Sequence, residues 1–413
     1  MEKIIFHVDV NSAYLSWEAV ERLKTQPDSI DLREIPAAVG GSVEMRHGVV
    51  LAKSLPCKKY GIKTGESLME ARKKCPDLLV VSPSSGLYSR YSRAFMDILR
   101  EYTPDVEQYS IDEAFMDMTG TGSLWGDPVT AAARIKDHIY HQLGFTVNIG
   151  ISNNKLLAKM ASDFQKPNLV HTLFPDEVPL KMWPLPVTDL FSVGKATVSK
   201  LQKLGIRTIG DLAKTDVEVL TSNFKSHGQV IWNYANGIDS SDIAHTAPAN
   251  KGYGNSTTLP QNICDSEGAN TVLLSLAETI GIRLRKDAVK IEVVSVTIRY
   301  DDFSQHSHQM TLHAPTNITN EIHHASFALF QEIWDKKTPI RLLGIQTSHA
   351  RDDNNNRQLS LFDLEDSPLF DTSSPQYEKL EKADKMADKI RRIFGNDAIK
   401  RAAFLESPDK NEK

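Results

Sequence analysis

A chain of 413 residues is long enough for several domains, each with a core of its own. Its 48 Lys plus Arg stand against 53 Asp plus Glu, a net charge of −5 that argues against a uniformly basic nucleic-acid coat protein. No apolar run approaches the ~18 residues of a membrane span, and three scattered cysteines (Cys57, Cys75, Cys264) make neither a disulfide framework nor a thiolate metal site. The N-terminus reads at once as a strand without a cleavable leader, so a cytoplasmic protein with no membrane partner is expected.

In chain order, residues 3–9 read as a strand closed by Asp9, and 12–24 as a helix. Pro36 to Gly41 signals a turn. Ser89–Tyr102 carries apolar residues at helical spacing. Val106–Met118 alternates as a hairpin with Ser110-Ile111-Asp112-Glu113 at its bend. Asp127-Pro128 is a helix start, an N-cap acid before proline, and this helix reaches Leu143. Phe145–Ile151 is a strand and Asn153–Asp163 a helix. Short helices fill 179–238, and 240–253 reads as a linker. A second α/β unit occupies 254–350, with strands at 291–300 and 343–349 and helices at 269–286 and 317–335. A polar tract, 351–376, is expected to be mobile, and a charged helix begins at Gln376. The order predicts an α+β, multidomain protein, with a small mixed sheet covered by helices and an insertion at about 24–80.

Two features carry chemistry. Residues 45–75 hold eight basic residues against two acids, enough to face phosphates or to be a solvated lysine-rich surface. Asp9, Asp112 and Glu113 fall at strand ends that one sheet could bring together. Acids there are costly unless paired or metal-bound, and hard oxygen ligands suit Mg²⁺. They are equally readable as ordinary strand-end and turn acids.

Three runs resolve the choice. His7-Val8-Asp9-Val10-Asn11-Ser12-Ala13-Tyr14, Tyr109 to Asp117, and Gly150-Ile151-Ser152-Asn153-Asn154-Lys155 through Ser162 resemble the Y-family DNA polymerases in order and approximate spacing. The resemblance implies a right-hand polymerase: a ferredoxin-like palm (1–23 and 78–166), small fingers (24–77), a helical thumb with a helix-hairpin-helix (167–239), a linker (240–253), an α/β little finger (254–350) and a tail (351–413). It implies template-directed, error-prone translesion synthesis in DNA repair and the SOS response, without proofreading. Two Mg²⁺ ions, with Mn²⁺ as the substitute, would be held by Asp9, Asp112, Glu113 and the carbonyl of Val10. Tyr14 falls where the family places its sugar-selecting aromatic, though a core aromatic would look the same. Lys58 and Lys166, the latter in Gln165-Lys166-Pro167-Asn168, are the expected triphosphate cations.

Departures are specific. Asn11 stands where many relatives carry a second aspartate, and Ala13, Ala52, Leu55 and Lys58 replace larger or hydrogen-bonding pocket residues. These shift the resemblance toward a UmuC-type or DNA polymerase IV-like branch. Val193, Gly194 and Lys195 lie in a segment like a helix-hairpin-helix, expected to grip DNA phosphate, with Ser192 in place of a usual glycine. Lys155 and Lys159, four apart on one helix face, could contact phosphate or be solvated. The little finger, with slightly more acids than bases, is less basic than a DNA-gripping domain should be. Gln358, Leu359, Leu361 and Phe362 resemble a clamp-binding pentapeptide, an apolar cluster in a polar tract. Primer-template DNA, dNTP, a sliding clamp and accessory repair proteins are the expected partners, in a nucleoid-associated enzyme. A non-catalytic DNA- and clamp-binding scaffold and a nucleotidyl cyclase are the alternatives.

Overall fold

The computed structural model describes residues 3–43, 46, 48–246, 249–352 and 375–404. The chain forms two compact units, one of Met1–Val43 and Gly48–Ala247, the other of Glu44–His47 and Pro248–Lys413.

The first unit runs β1 (Ile5–Val10), α1 (Ala13–Thr25), β2 (Ala37–Gly40), β3 (Val50–Lys53), α2 (Leu68–Lys74), β4 (Leu79–Val81), α3 (Leu87–Arg100), β5 (Val106–Gln108), β6 (Glu113–Asp117), α4 (Gly122–Trp125), α5 (Pro128–Leu143), β7 (Val147–Ser152), α6 (Lys155–Ser162) and β8 (Val170–Thr172). Five short helices follow: α7 (Val178–Lys181), α8 (Lys195–Lys203), α9 (Ile209–Lys214), α10 (Val217–Phe224) and α11 (Ser226–Ala235).

Its main sheet has the order β5-β6-β1-β7-β8. The elements β1, α3, β5, β6, α5 and β7 trace a βαββαβ path, the ferredoxin-like arrangement expected of the palm. All six residues of β1 are buried because both faces are covered. Phe6, Val8 and Val10 enter the core with Phe95, Ile135 and Ile139 of α3 and α5. On the other face, Ile5 packs with Ala158 of α6, which leaves the alternate residues His7 and Asp9 in a dry layer where each needs a polar partner. Gly150 makes this layer thin: a Cβ there would lie 1.9 Å from the Ala158 carbonyl oxygen, so α6 rests directly on β7. The start of α5 is as its sequence predicts, with Asp127 accepting hydrogen bonds from the Val129 and Thr130 amides before Pro128 opens the helix.

Two expectations change. The insertion carries its own sheet, β3-β2-β4, in which β4 pairs parallel with β2, so this layer reaches Val81 rather than stopping at 77. The linker at 240–253 is partly structural: Ile243 is buried against Ile5, Phe115 and Ala158, and the Ala244 amide donates to Glu107. One apolar residue in a polar run was too weak a signal.

The second unit comprises β9 (Gly254–Ile263), α12 (Ser266–Lys286), β10 (Val289–Tyr300), β11 (Gln305–Thr316), α13 (Thr319–Ile333), β12 (Ile340–Ser348), β13 (Arg351–Asp352) and α14 (Pro375–Phe394). Its antiparallel sheet has the order β11-β10-β12-β9. Leu273, Ile280, Leu284 and Phe330 of α12 and α13 pack on Val294, Ile298 and Ile345. The sequence reading missed β9 and β11, the two edge strands. Edge strands have few apolar positions to announce them, and Gln305 to Gln309 of β11 is exposed throughout.

The terminal helix, α14, ends at Phe394 before Gly395, which has a φ of 94°. It docks on its own unit through charge. Arg285 donates to Asp384 (3.1 Å) and Asp388 (2.6 Å), Arg391 to Glu278 (2.9 Å), and Asp384 accepts the Thr319 amide at the start of α13.

Candidate active site

Strand register assembles the acids. Asp9 lies directly opposite Glu113 in the β1–β6 pair, and the Val10 amide donates to the Asp112 carbonyl at 3.0 Å. Asp112, on the turn before β6, is fixed by Ser110: its Oδ1 accepts from Ser110 Oγ (2.7 Å), and its amide donates back to that oxygen (3.2 Å). All three acids thus lie at one end of the two central strands.

Each acid has a local partner. Lys166 Nζ donates to Asp9 Oδ2 and pairs with Asp163 at 2.7 Å. Lys159 Nζ donates to Glu113 Oε1 at 2.8 Å. Asp9 is 8% exposed, and burial pushes its carboxyl up to about 6, with Lys166 pulling the other way. The Lys166 ammonium loses solvation too, but Asp9 and Asp163 outweigh that and raise its pKa. Beneath them His7 is buried and hydrogen-bonded to Ser162 Oγ at 2.8 Å; burial and the Lys159 and Lys166 charges keep it neutral.

Among the described residues, no three carboxylates are drawn closely enough to enclose a cation by themselves. The donor set still fits divalent magnesium, which takes one or two carboxylates and completes its octahedron with water and substrate phosphate. A desolvated carboxylate already contacted by a cation is such a ligand, and Asp112 keeps one oxygen without a hydrogen bond among the described residues.

Asp9 and Asp112 open into a cleft of about 510 Å³, whereas Glu113, paired with Lys159, does not line it. Asp9, Val10, Tyr14, Lys58, Asp112 and Lys166 line it, so the structure brings these predicted site residues together. Tyr14 stacks on Tyr88 with ring centroids 4.4 Å apart and planes 15° apart. Ala13, Ala52 and Leu55, the departures noted above, line or flank the same cavity.

Lys155 and Lys159 share a helix face as expected, but both turn to the sheet. Lys155 is held by Glu107 at 2.7 and 2.8 Å, and Lys159 by Glu113. Val193, Gly194 and Lys195 lie apart from this cleft, at the start of α8. Ser192 takes a φ of 72°, the conformation glycine favours, so serine fills the glycine position by accepting strain. Gln358, Leu359, Leu361 and Phe362 lie outside the described residues.

Sequence reasoning missed how Asn11 acts. Its Oδ1 accepts from the Asn168 amide (2.9 Å) and Thr146 Oγ1 (3.0 Å), and its Nδ2 donates to Asn148 Oδ1 (3.2 Å). Asn148, fully buried, donates in turn to the Gln165 carbonyl at 2.6 Å. The two amides clamp the segment between α6 and β8 that carries Lys166. The available signal was an asparagine in the otherwise apolar run Phe145–Ile151. Arg33 also lines the cleft, bound to Asp31 and the Gly144 carbonyl.

A βαββαβ sheet with an acid pair on its central strands, beneath a cation-lined cleft, is the palm of a nucleotidyl-transferring polymerase. The impB/mucB/samB family matches residues 8–163, its C-terminal domain residues 250–361, and the DNA polymerase-iota thumb domain residues 188–239. DNA polymerase IV of Clostridium acetobutylicum is 47% identical over 99% of this chain and 100% of its own length. DNA polymerase IV of Alkaliphilus oremlandii is 38% identical over 98% and 100%, and DNA polymerase IV 2 of Bacillus subtilis 38% over 98% and 95%. A solved Y-family DNA polymerase chimera, Dbh-Dpo4(243-245)-Dbh, shares the fold at a TM-score of 0.73 and 22% identity, covering 84% of this chain and 99% of that one. The chain belongs to the Y family of DNA polymerases, the DNA-directed, error-prone enzymes of translesion synthesis. The family works with divalent metal ions on DNA and dNTP. No helix among the described residues is long and apolar enough to cross a membrane.

Proposed function

We propose that Asp9, Asp112, Glu113 and the Val10 carbonyl hold two Mg²⁺ ions, with Mn²⁺ as the alternative. Bound there, the ions would activate the primer 3′-hydroxyl and stabilise the departing pyrophosphate. The observation that carries this reading is the register of Asp9 opposite Glu113, with Asp112 tied to Val10, at the edge of the cleft. Lys166 leaves Asp9 for the triphosphate when metal and nucleotide enter, and Lys58 adds a second point charge. Tyr14, braced by Tyr88, stacks under the sugar and rejects a 2′-hydroxyl by collision.

In this reading 1–23 and 82–166 are the palm, 24–81 the fingers, 167–239 the thumb, 254–350 the little finger and 351–413 the tail. Val193, Gly194 and Lys195 grip backbone phosphate at the start of α8, through first-turn amides that have no partner within the helix; the Val193 amide itself donates to the Leu190 carbonyl and holds the turn. Lys155 and Lys159 reach DNA only by releasing Glu107 and Glu113, so their first task is to hold those acids. Residues 358–362 bind the sliding clamp in a cytoplasmic, nucleoid-associated enzyme of the SOS response, with accessory repair proteins as further partners.

Primer extension with Mg²⁺ by the wild type beside Asp112→Ala tests the site. Loss of extension on the order of 10³-fold or more is expected from removing a metal ligand. Equal extension by both would sink the assignment, and no extension by a folded wild type would favour the scaffold.

A further inference from the structure

A cleft of about 730 Å³ in the second unit lies between the end of α12 and the second half of α14 and belongs to no part of the polymerase site. Its walls carry Arg285, Lys286, Lys385, Lys389, Arg391 and Arg392 against the single acid Asp388. In a chain of net charge −5 such a concentration needs a reason. Three of the six are committed: Arg285 to Asp384 and Asp388, Arg391 to Glu278 and Lys385 to Glu381. These bonds fix α14 against α12. Lys286, Lys389 and Arg392 are exposed and have no carboxylate partner among the described residues. Lys385, Lys389 and Arg392 recur at helical spacing, so one face of α14 turns positive charge into the cleft.

We propose that this cleft is a second nucleic-acid contact, binding the phosphate backbone of DNA without regard to sequence. The alternative of an acidic protein segment fits less well. Recognition of carboxylates favours bidentate arginine forks, and two of the three arginines here are already spent on Asp384, Asp388 and Glu278. The unspent cations are mainly lysine point charges, which serve phosphate. No aromatic side chain lines the cleft among the described residues, so nothing there would stack a base. The site exists only while α14 is docked, which gives the terminal helix a purpose on DNA.

The test is DNA affinity against salt for the full chain, on a primer-template with a long duplex and a long template overhang. Lys286→Ala/Lys389→Ala/Arg392→Ala should flatten the slope of log K on log salt by about 2 to 3, near 0.9 per lost duplex phosphate contact. Lys336→Ala/Lys337→Ala, equally exposed on a loop of the same unit, should leave it unchanged. In the wild type, DNA should protect Lys286 and Lys389 from acylation, a readout independent of how the variant folds. An unchanged slope, an equal loss in the loop variant, or no protection would overturn the proposal. Protection by a polyglutamate peptide but not by DNA would overturn it in favour of an acidic protein.

Discussion

Lys166 Nζ donates to Asp9 Oδ2, so the most desolvated acid of the site is held by a lysine from a segment 157 residues further along the chain. The pair keeps a carboxylate ready in a layer that would otherwise neutralise it. Burial still wins in part, since the Asp9 carboxyl sits near 6 rather than at its ordinary 3.8.

The sign of the resulting pH dependence is fixed. Between pH 4 and 6 the folded chain keeps a proton that the unfolded chain has lost, so stability falls as pH rises through this window. In chelator, the wild type should lose roughly 3 kcal/mol relative to Asp9→Asn across it, about 1.4 kcal/mol per pKa unit. Thermal melts of both proteins from pH 4 to 7 measure the gap. Parallel curves would mean that Asp9 is not held in the dry layer.

Tyr14 is expected to act through its ring. Tyr14→Ala should raise ribonucleotide incorporation by about 10²-fold relative to deoxynucleotide, because a collision is removed rather than a bond. Tyr14→Phe should preserve discrimination. Competition assays with paired rNTP and dNTP give the ratio, and unchanged sugar selection in Tyr14→Ala removes the residue from this role.

Asn11 should act on substrate binding more than on turnover. Asn11→Ala strands the Asn168 amide, at about 1–3 kcal/mol for a buried polar group left unpaired, and leaves Asn148 Oδ1 with the Leu169 amide alone. The segment bearing Lys166 then loses its clamp. A raised KM for dNTP with a smaller fall in kcat, and a lower Tm, is the expected pattern. An effect confined to kcat would place Asn11 among the acids instead.

The tail separates from the chemistry. Leu361→Ala with Phe362→Ala should abolish pull-down by the sliding clamp while leaving synthesis on short primers intact. Clamp binding that survives the double change refutes that role for residues 358–362.

The sequence by itself determined the three carboxylates, Tyr14, the Asp127-Pro128 helix start and the alternation of the central elements. Each is a local signal: an acid at a strand end, an aromatic at fixed distance, a cap before proline, a period of two or 3.6. The tertiary structure decided what the polar residues do to one another. Lys159 and Lys166 read equally well as phosphate contacts, and only the packing of α6 on β7, permitted by Gly150, turned Lys159 to Glu113. Asn11 read as a departure from the second aspartate of many relatives and proved to be one half of an amide clamp with Asn148. The edge strand β9, paired with β12, and the charged docking of α14 were invisible for a related reason. Their partners lie dozens of residues away, and pairing across such distances leaves no periodic trace in the chain. The acids that opened the reading were therefore named by sequence, while their desolvation, lysine partners and the cleft they serve were fixed by long-range packing.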